Sequence, residues 1–294
     1  MVKVLIVGAG ALGQVFGSWL ATGGAQVSYL VKAGREKWAD GGVPVSRLRS
    51  GRGPVAGRLV PYQVMSEPAG AWDMVWLCVD SGALRGAAIA RLREVSAGAT
   101  IVTIGQDLGD LDTLARIWPQ EQIVQVTPTV LAFPAPSGMT YWTPPGAATG
   151  VSGPRAPQVV AALRAGGVKA RRVRQAGGGE MTAARMIPFI AALEQAGWSL
   201  PRLDGAAAAS REAIAVVAAQ HGRRVTPSAP AWAVRPALRA LPRLLPFDLW
   251  HYLESHFTKV SAQTRLMLDG WIAEGAGRGL PVKHLKVLRE GLNP

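Results

Sequence analysis

The chain reads as an α/β protein, with an N-terminal doubly wound parallel sheet followed by an all-helical C-terminal domain. Three observations predict this. Short apolar runs alternate with helix-spaced segments through the first half, as expected of strands covered on both faces by crossover helices. A glycine-rich turn, Gly8-Ala9-Gly10-Ala11-Leu12-Gly13, ends the first run and opens the first helix. Beyond residue 175 the strand-like runs give way to Ala-rich stretches of helical spacing. The expected domains are 1–165 and 175–294.

The elements follow in order. Val2 to Val7 is a β-branched run, and Ala11 to Leu20 is helix-like. Ala25 to Val31, Asp73 to Val79, Ala99 to Ile104 and Gln122 to Thr127 supply further strands. Ala83 to Val95 and Leu111 to Ile117 have the apolar spacing of helices between them. Thr129 to Gly153 is rich in Pro and Gly, with short Thr/Tyr/Trp/Val pieces that suit hairpins. Lys169 to Arg174 alternates as a solvated edge strand would. In the second half, Glu180 to Trp198, Gly205 to Gln220 and Val282 to Leu292 read as helices, and Phe247 to Glu274 as one long helix. Five prolines between Arg223 and Pro246 are expected to bend or break any helix there.

Composition bounds the function. With 294 residues, 49% hydrophobic and a mean hydropathy of +0.17, the chain can bury a substantial core. A single cysteine, Cys78, excludes a disulfide framework and a thiolate-rich metal or iron–sulfur site. Net charge is +13, with 13 basic and 10 acidic residues in 1–155 against 19 and 9 in 156–294. That excess suits an anionic ligand, a nucleic acid or a membrane surface, and charge alone does not choose. Met1-Val2-Lys3 before an apolar run imitates a signal peptide, but Gly8, Gly10 and Gly13 break the run. Gln122 to Pro154 is uncharged but carries six prolines, so it cannot form a spanning helix. A soluble cytoplasmic protein is expected.

The glycine turn carries the most chemistry. Gly8 permits the tight turn, Gly10 leaves room for a pyrophosphate beside the backbone, and Gly13 lets the helix lie close to the strand. The helix start, through Ala11 and Leu12, offers free N–H groups and partial positive charge to phosphates. An NAD-preferring site has an acidic residue about 20 residues after the glycines. Here the place holds Val31-Lys32-Ala33-Gly34-Arg35, with no carboxylate before Glu36. Lys32 and Arg35 would attract the 2′-phosphate of NADP(H), which a carboxylate would repel.

At these residues the chain resembles the ketopantoate reductase family. The likeness runs from GAGALG at the start, through Gly150-Val151-Ser152-Gly153, to Leu268-Asp269-Gly270-Trp271 and Gly279-Leu280-Pro281. It implies a Rossmann-type domain joined to a helical domain, a 2-oxo acid substrate, hydride delivery by NADPH, and a lysine acting on the substrate oxygen. Lys32 matches the family's basic residue for the 2′-phosphate, and Gln106 of Gln106-Asp107-Leu108-Gly109 replaces its cofactor-side asparagine. A homodimer is also implied.

The catalytic positions depart from the pattern. Asp80 stands where the family has a lysine after its third long strand. Ala184 falls on the catalytic lysine, Pro188 on an asparagine, and Thr264 on the substrate-orienting glutamate. Arg185, one residue from Ala184, would stabilise an alkoxide but is a poor proton donor near neutral pH. Reduction of ketopantoate itself is therefore not expected.

A replacement site is suggested by Tyr252, His256, Lys259 and Gln263, which share one face of a helix at i, i+4, i+7 and i+11. Histidine beside lysine could protonate a carbonyl oxygen or hold a carboxylate, so Lys259, His256 and Arg185 are the candidate catalytic residues. His221 and His284 lack metal-ligand spacing, and Ser18, Ser81 and Ser152 sit in no nucleophile elbow. The leading reading is an NADP(H)-dependent oxidoreductase of a small molecule other than ketopantoate, with no nucleic-acid or membrane partner. The alternatives are a dinucleotide-binding pseudoenzyme or sensor, and an anionic-surface binder driven by the basic second half.

Overall fold

The computed structural model describes residues 1–35, 42–49, 52–56, 59, 62–136, 138–174, 177–199, 203–225 and 231–292. In order, the elements are β1 (Lys3–Val7), α1 (Ala11–Thr22), β2 (Gln26–Leu30), β3 (Val45–Arg49), β4 (Arg52–Ala56), β5 (Gln63–Met65), β6 (Met74–Leu77), α2 (Ser81–Leu84) and α3 (Ala87–Ala90). Then come β7 (Thr100–Thr103), α4 (Asp110–Ala115), β8 (Ile123–Thr127), β9 (Leu131–Ala135), β10 (Gly138–Trp142), β11 (Thr149–Ser152), α5 (Ala156–Ala165) and β12 (Ala170–Arg172). The remainder is helical: α6 (Gly178–Gln195), α7 (Asp204–Gln220), α8 (Ala231–Leu244), α9 (Leu249–Lys259), α10 (Ser261–Gly277) and α11 (Lys283–Glu290). The chain divides into two compact units, residues 1–105 with 110–176, and residues 106–109 with 177–294.

The first unit holds an eight-stranded sheet in the order β12-β11-β8-β7-β6-β1-β2-β5. The six strands from β8 to β5 are parallel, and β11 joins β8 antiparallel. Alternate residues of β1 feed opposite cores. Val4 and Ile6 pack with Phe16 and Trp19 of α1 and Trp76 of β6, while Leu5 and Val7 pack with Leu84, Ile89, Leu92 and Leu114. Burial on both faces is why these strands read as continuous apolar runs. The ring of Phe16 lies 4.9 Å from Trp76 and 5.3 Å, edge-on, from Trp19, which fixes α1 against the sheet. The expected edge strand is β12, with Ala170 buried and both arginines exposed.

Three features of this unit differ from expectation. The helix expected over Ala83–Val95 is two short helices and a 3₁₀ turn, because Gly86 is extended (φ −77°, ψ 150°) and starts a new helix. Strands β3, β4 and β5 fall where no strand was expected. The hairpin β9–β10 does form, but β10 also pairs parallel with β3, giving a second sheet in the order β4-β3-β10-β9.

In the second unit α6 and α7 approach closely because small residues face each other: Ala183, Ala184 and Ala191 from one, Ala206, Ala209 and Ala213 from the other. Trp271 of α10 is fully buried in the same core. Buried Glu212 of α7 receives the N–H groups of His284 (3.1 Å) and Leu285 (2.9 Å), and so caps α11. The single helix expected over Phe247–Glu274 is two, since Val260 (φ −110°, ψ 21°) ends α9 and begins α10. Thr258, Val260 and Ser261 are weak helix formers placed together, and no capping glycine marks the break. In the proline-rich basic segment, α8 nonetheless spans Pro236 and Pro242. Pro236 is exposed, so the carbonyl it frees can be hydrated.

The division also relocates charge. The first unit has 18 basic and 9 acidic residues and the second 14 and 10, so the surplus belongs mainly to the sheet unit.

Asp110, fully buried at the start of α4, ties two loops of the sheet unit. It accepts from Ser81 Oγ (2.8 Å) and Arg85 (3.2 Å). Asp110→Ala strands a buried hydroxyl and is expected to lower stability by about 2 kcal/mol, with Asp110→Asn losing less. Urea denaturation of the three proteins checks the order.

Candidate functional site

The sheet changes direction at β1: β2 lies on one side and β6 on the other. The carboxyl ends of β1 and β6 therefore form the crevice in which open α/β sheets bind ligands. Each glycine of the turn above it has a distinct steric duty. Gly8 has φ +97°, and a Cβ there would stand 2.7 Å from the Cys78 carbonyl oxygen and 2.8 Å from Val79 Cγ1. At Gly13 a Cβ would collide with the Gly8 carbonyl, so α1 lies against the turn only because residue 13 has none. Gly10 is different. Its φ of −69° suits any residue and a Cβ there would meet nothing within 4 Å, so the space beside it is open. Gly10 caps α1, whose first turn has no acidic residue, leaving the N–H groups of Ala11, Leu12 and Gly13 without intrahelical partners. An open backbone cradle facing a helix start fits a diphosphate.

The cation corner adjoins this turn. The Gly8 N–H donates to the Leu30 carbonyl (3.2 Å) at the end of β2, two residues before Lys32. Lys32 and Arg35 are exposed and joined by a turn in which Arg35 N–H donates to the Lys32 carbonyl (3.1 Å). Glu36 lies outside the described residues. Cys78, under the glycine turn, is buried, and burial pushes its thiol up to about 12, so it offers no thiolate. Asp80 serves as a helix cap: its Oδ1 accepts from the Ala83 N–H (2.8 Å).

The remaining sequence candidates lie in the second unit. Gln106 is half-buried in the short segment whose Leu108 enters that unit's core and accepts from Gln220 Nε2 (3.2 Å). Arg185 is exposed on α6, whereas neighbouring Ala184 is 0% exposed in the α6–α7 core. Tyr252 and His256 stack on α9 with ring centres 5.5 Å apart, and Phe257 meets the imidazole edge-on at 4.9 Å. Burial first, and the Lys259 ammonium second, hold His256 below its ordinary pKa. Burial also pushes Tyr252 up to about 12. The proposed four-residue face is not one helix face, because the break at Val260 puts Gln263 on α10, away from the α9 register of Tyr252, His256 and Lys259. Thr264 is 1% exposed, and among the described residues its hydroxyl has no hydrogen-bond partner.

One polar pair escaped the sequence reading. Buried Glu180, in the first turn of α6, bonds through Oε2 to Nε2 of His221, the residue that ends α7. The partners are 41 residues apart, so no spacing rule signals them. Gly177 (φ +82°) packs against the same imidazole, with room for no Cβ. Among the described residues no group of His, Cys, Asp and Glu is arranged to hold a metal ion, and no helix is long and apolar enough to cross a membrane.

A search of curated proteins found none that matches the sequence. Solved structures share the fold. The crystal structure of 2-dehydropantoate 2-reductase from Geobacter metallireducens GS-15 is 19% identical with a TM-score of 0.75, covering 99% of each chain. A PanE/ApbA family ketopantoate reductase from Ralstonia eutropha JMP134 is 21% identical with a TM-score of 0.73, covering 98% of this chain and 96% of the other. D-mandelate dehydrogenase, solved as a ternary structure with NADH and anilino(oxo)acetate, is 14% identical with a TM-score of 0.72 and the same coverage. Residues 4–149 match the family described as ketopantoate reductase PanE/ApbA. Through this segment, which contains the glycine turn and the cation corner, the chain belongs to the ketopantoate reductase PanE/ApbA family.

Proposed function

We propose that the protein is an NADP(H)-dependent oxidoreductase acting on the carbonyl of a small 2-oxo-acid-like substrate other than ketopantoate. The observation that carries this reading is the cradle: positive φ at Gly8, contact at Gly13 and open space at Gly10. The bound nicotinamide would supply hydride. The N–H groups of Ala11, Leu12 and Gly13 would hold the diphosphate, and Lys32 with Arg35 the 2′-phosphate. The D-mandelate dehydrogenase structure contains NADH, so the phosphate preference rests on this chain's own cations. We assign Gln106 to the cofactor as well. Lys259 would hold a substrate carboxylate or polarise the carbonyl, with His256, neutral at neutral pH, as a hydrogen-bond partner and Arg185 as an anion anchor.

A second reading, a dinucleotide-binding protein without turnover, is favoured by one observation. Ala184 and Thr264, at the positions of the family's lysine and glutamate, are committed to core packing. The two readings part on whether NADPH oxidation accompanies binding when 2-oxo acids, aldehydes and ketones are supplied. Under the first, Lys259→Ala lowers turnover; turnover unchanged by it would remove Lys259 from the site.

Gly10→Ala separates binding from folding, since the added methyl meets only ligand space. It is expected to leave the melting temperature of the free protein unchanged and to weaken dinucleotide binding about tenfold or more. NADPH should raise the melting temperature more than NADH, and Lys32→Gln should remove the difference. An equal response to both coenzymes in the parent protein would discard the 2′-phosphate assignment.

His256 gives a pH test. Its folded form is held below the ordinary value of 6.5, so in the window just under 6.5 the unfolded chain binds more protons than the folded one. Stability therefore falls as pH drops through that window. An NMR titration of the imidazole should give a midpoint below 6.5. In Lys259→Ala the midpoint should rise part of the way, because the larger effect of burial remains.

A further inference from the structure

Within the first unit, a cavity of about 600 Å³ opens between the small sheet, the last turns of α1 and the loops flanking β11 and β12. It lies at the far end of α1 from the glycine turn: Trp19 follows Gly10 by nine residues, about 13 Å along a helix axis. Its volume is in the range of small-molecule sites, roughly 300–1,000 Å³.

Its lining joins an aromatic floor to a cationic rim. Trp19, only 6% exposed, meets the half-buried ring of Tyr141 edge-on at 5.2 Å. Thr129 and Thr149, whose hydroxyls lie 3.2 Å apart, line the same space. Arg47 and Arg49 come from β3, on the small sheet, and Lys169 from the residue before β12, on the large one. No carboxylate lines the cavity, and among the described residues none of the three cations has an acidic partner. One wall is Thr143-Pro144-Pro145-Gly146-Ala147, whose paired prolines fix the backbone before any ligand arrives.

Cations from separate strands, brought together without counter-charges, repel one another unless an anion joins them. We propose that this cavity is a second ligand site, for a small molecule that combines an anionic head group with a flat apolar body. The head group would sit among Arg47, Arg49 and Lys169 and the body over Trp19 and Tyr141. The site is independent of the dinucleotide cradle and of any reaction there.

Phenyl phosphate is a suitable probe, with inorganic phosphate as the head alone and phenol as the body alone. Calorimetry is run on the full chain with and without saturating NADP+. Phenyl phosphate should bind one to one in both conditions, more tightly than either fragment and more weakly as salt rises. Arg47→Gln and Lys169→Gln, both at exposed positions, should each weaken it about tenfold, with melting temperature and dinucleotide response unchanged. Three results would overturn the proposal: no heat at millimolar phenyl phosphate, undiminished binding in the double variant, or complete displacement by NADP+.

Discussion

Three stretches of backbone converge beneath the first glycine turn, and the space between them is too small for a single methyl group. The turn at Gly8, the helix at Gly13 and the strand end at Cys78 and Val79 touch directly. This contact sets the height of α1 above the sheet. Phe16 can then reach Trp76 with Trp19 against its other side, and the first N–H groups of α1 can point over the crevice between β1 and β6. The same contact explains why Gly10 stays open while its neighbours are crowded. Folding needs glycine at 8 and 13 for steric reasons internal to the protein. At 10 the fold needs no glycine, and the space beside it is open to the proposed diphosphate.

The second unit shows the opposite use of space. Where the family resemblance places a lysine, Ala184 helps bring α6 and α7 together, and a lysine in that register would drive an ammonium into an apolar interface. Thr264 is likewise enclosed. Under the proposed function, chemistry in this unit would fall to groups that leave the core, and α9 presents several. Its stacked Tyr252 and His256 are anchored by burial, while Lys259 at the helix end is exposed. Burial, and the Lys259 ammonium beside it, hold the His256 imidazole below its ordinary pKa, which keeps a lone pair available at neutral pH.

How much of this was legible in the sequence depended on the range of the interactions involved. The strands of the large sheet could be read from Val4-Leu5-Ile6-Val7 or Met74-Val75-Trp76-Leu77, because burial on both faces leaves no polar alternation. The glycine turn was legible because its spacing, Gly8 to Gly13, lies within six residues, although the strand end that crowds Gly8 comes seventy residues later. Strand β3, Val45-Ser46-Arg47-Leu48-Arg49, was not: it is short, half-solvated and paired with a strand some ninety residues later. The break at Val260 was hidden because no glycine or proline marks it. Glu180 and His221 were missed for the same reason as β3, since only the packing of α6 on α7 makes them neighbours.

Charge illustrates the point most sharply. Divided at residue 155, the basic excess lies in the second half of the chain, which suggests a helical domain that attracts polyanions. But α5 and β12 return the chain to the large sheet, and Arg164, Lys169, Arg171, Arg172 and Arg174 return with it. The unit with the glycine turn thus also carries most of the surplus. Its field would speed the arrival of any anion. Selectivity is another matter, because exposed charges are largely screened beyond about 8 Å at physiological salt. Only cations beside the bound group can tell one anion from another. For the proposed dinucleotide that condition would single out Lys32 and Arg35 at the glycine turn, and it would leave the other arginines to set the rate of encounter and not its outcome there.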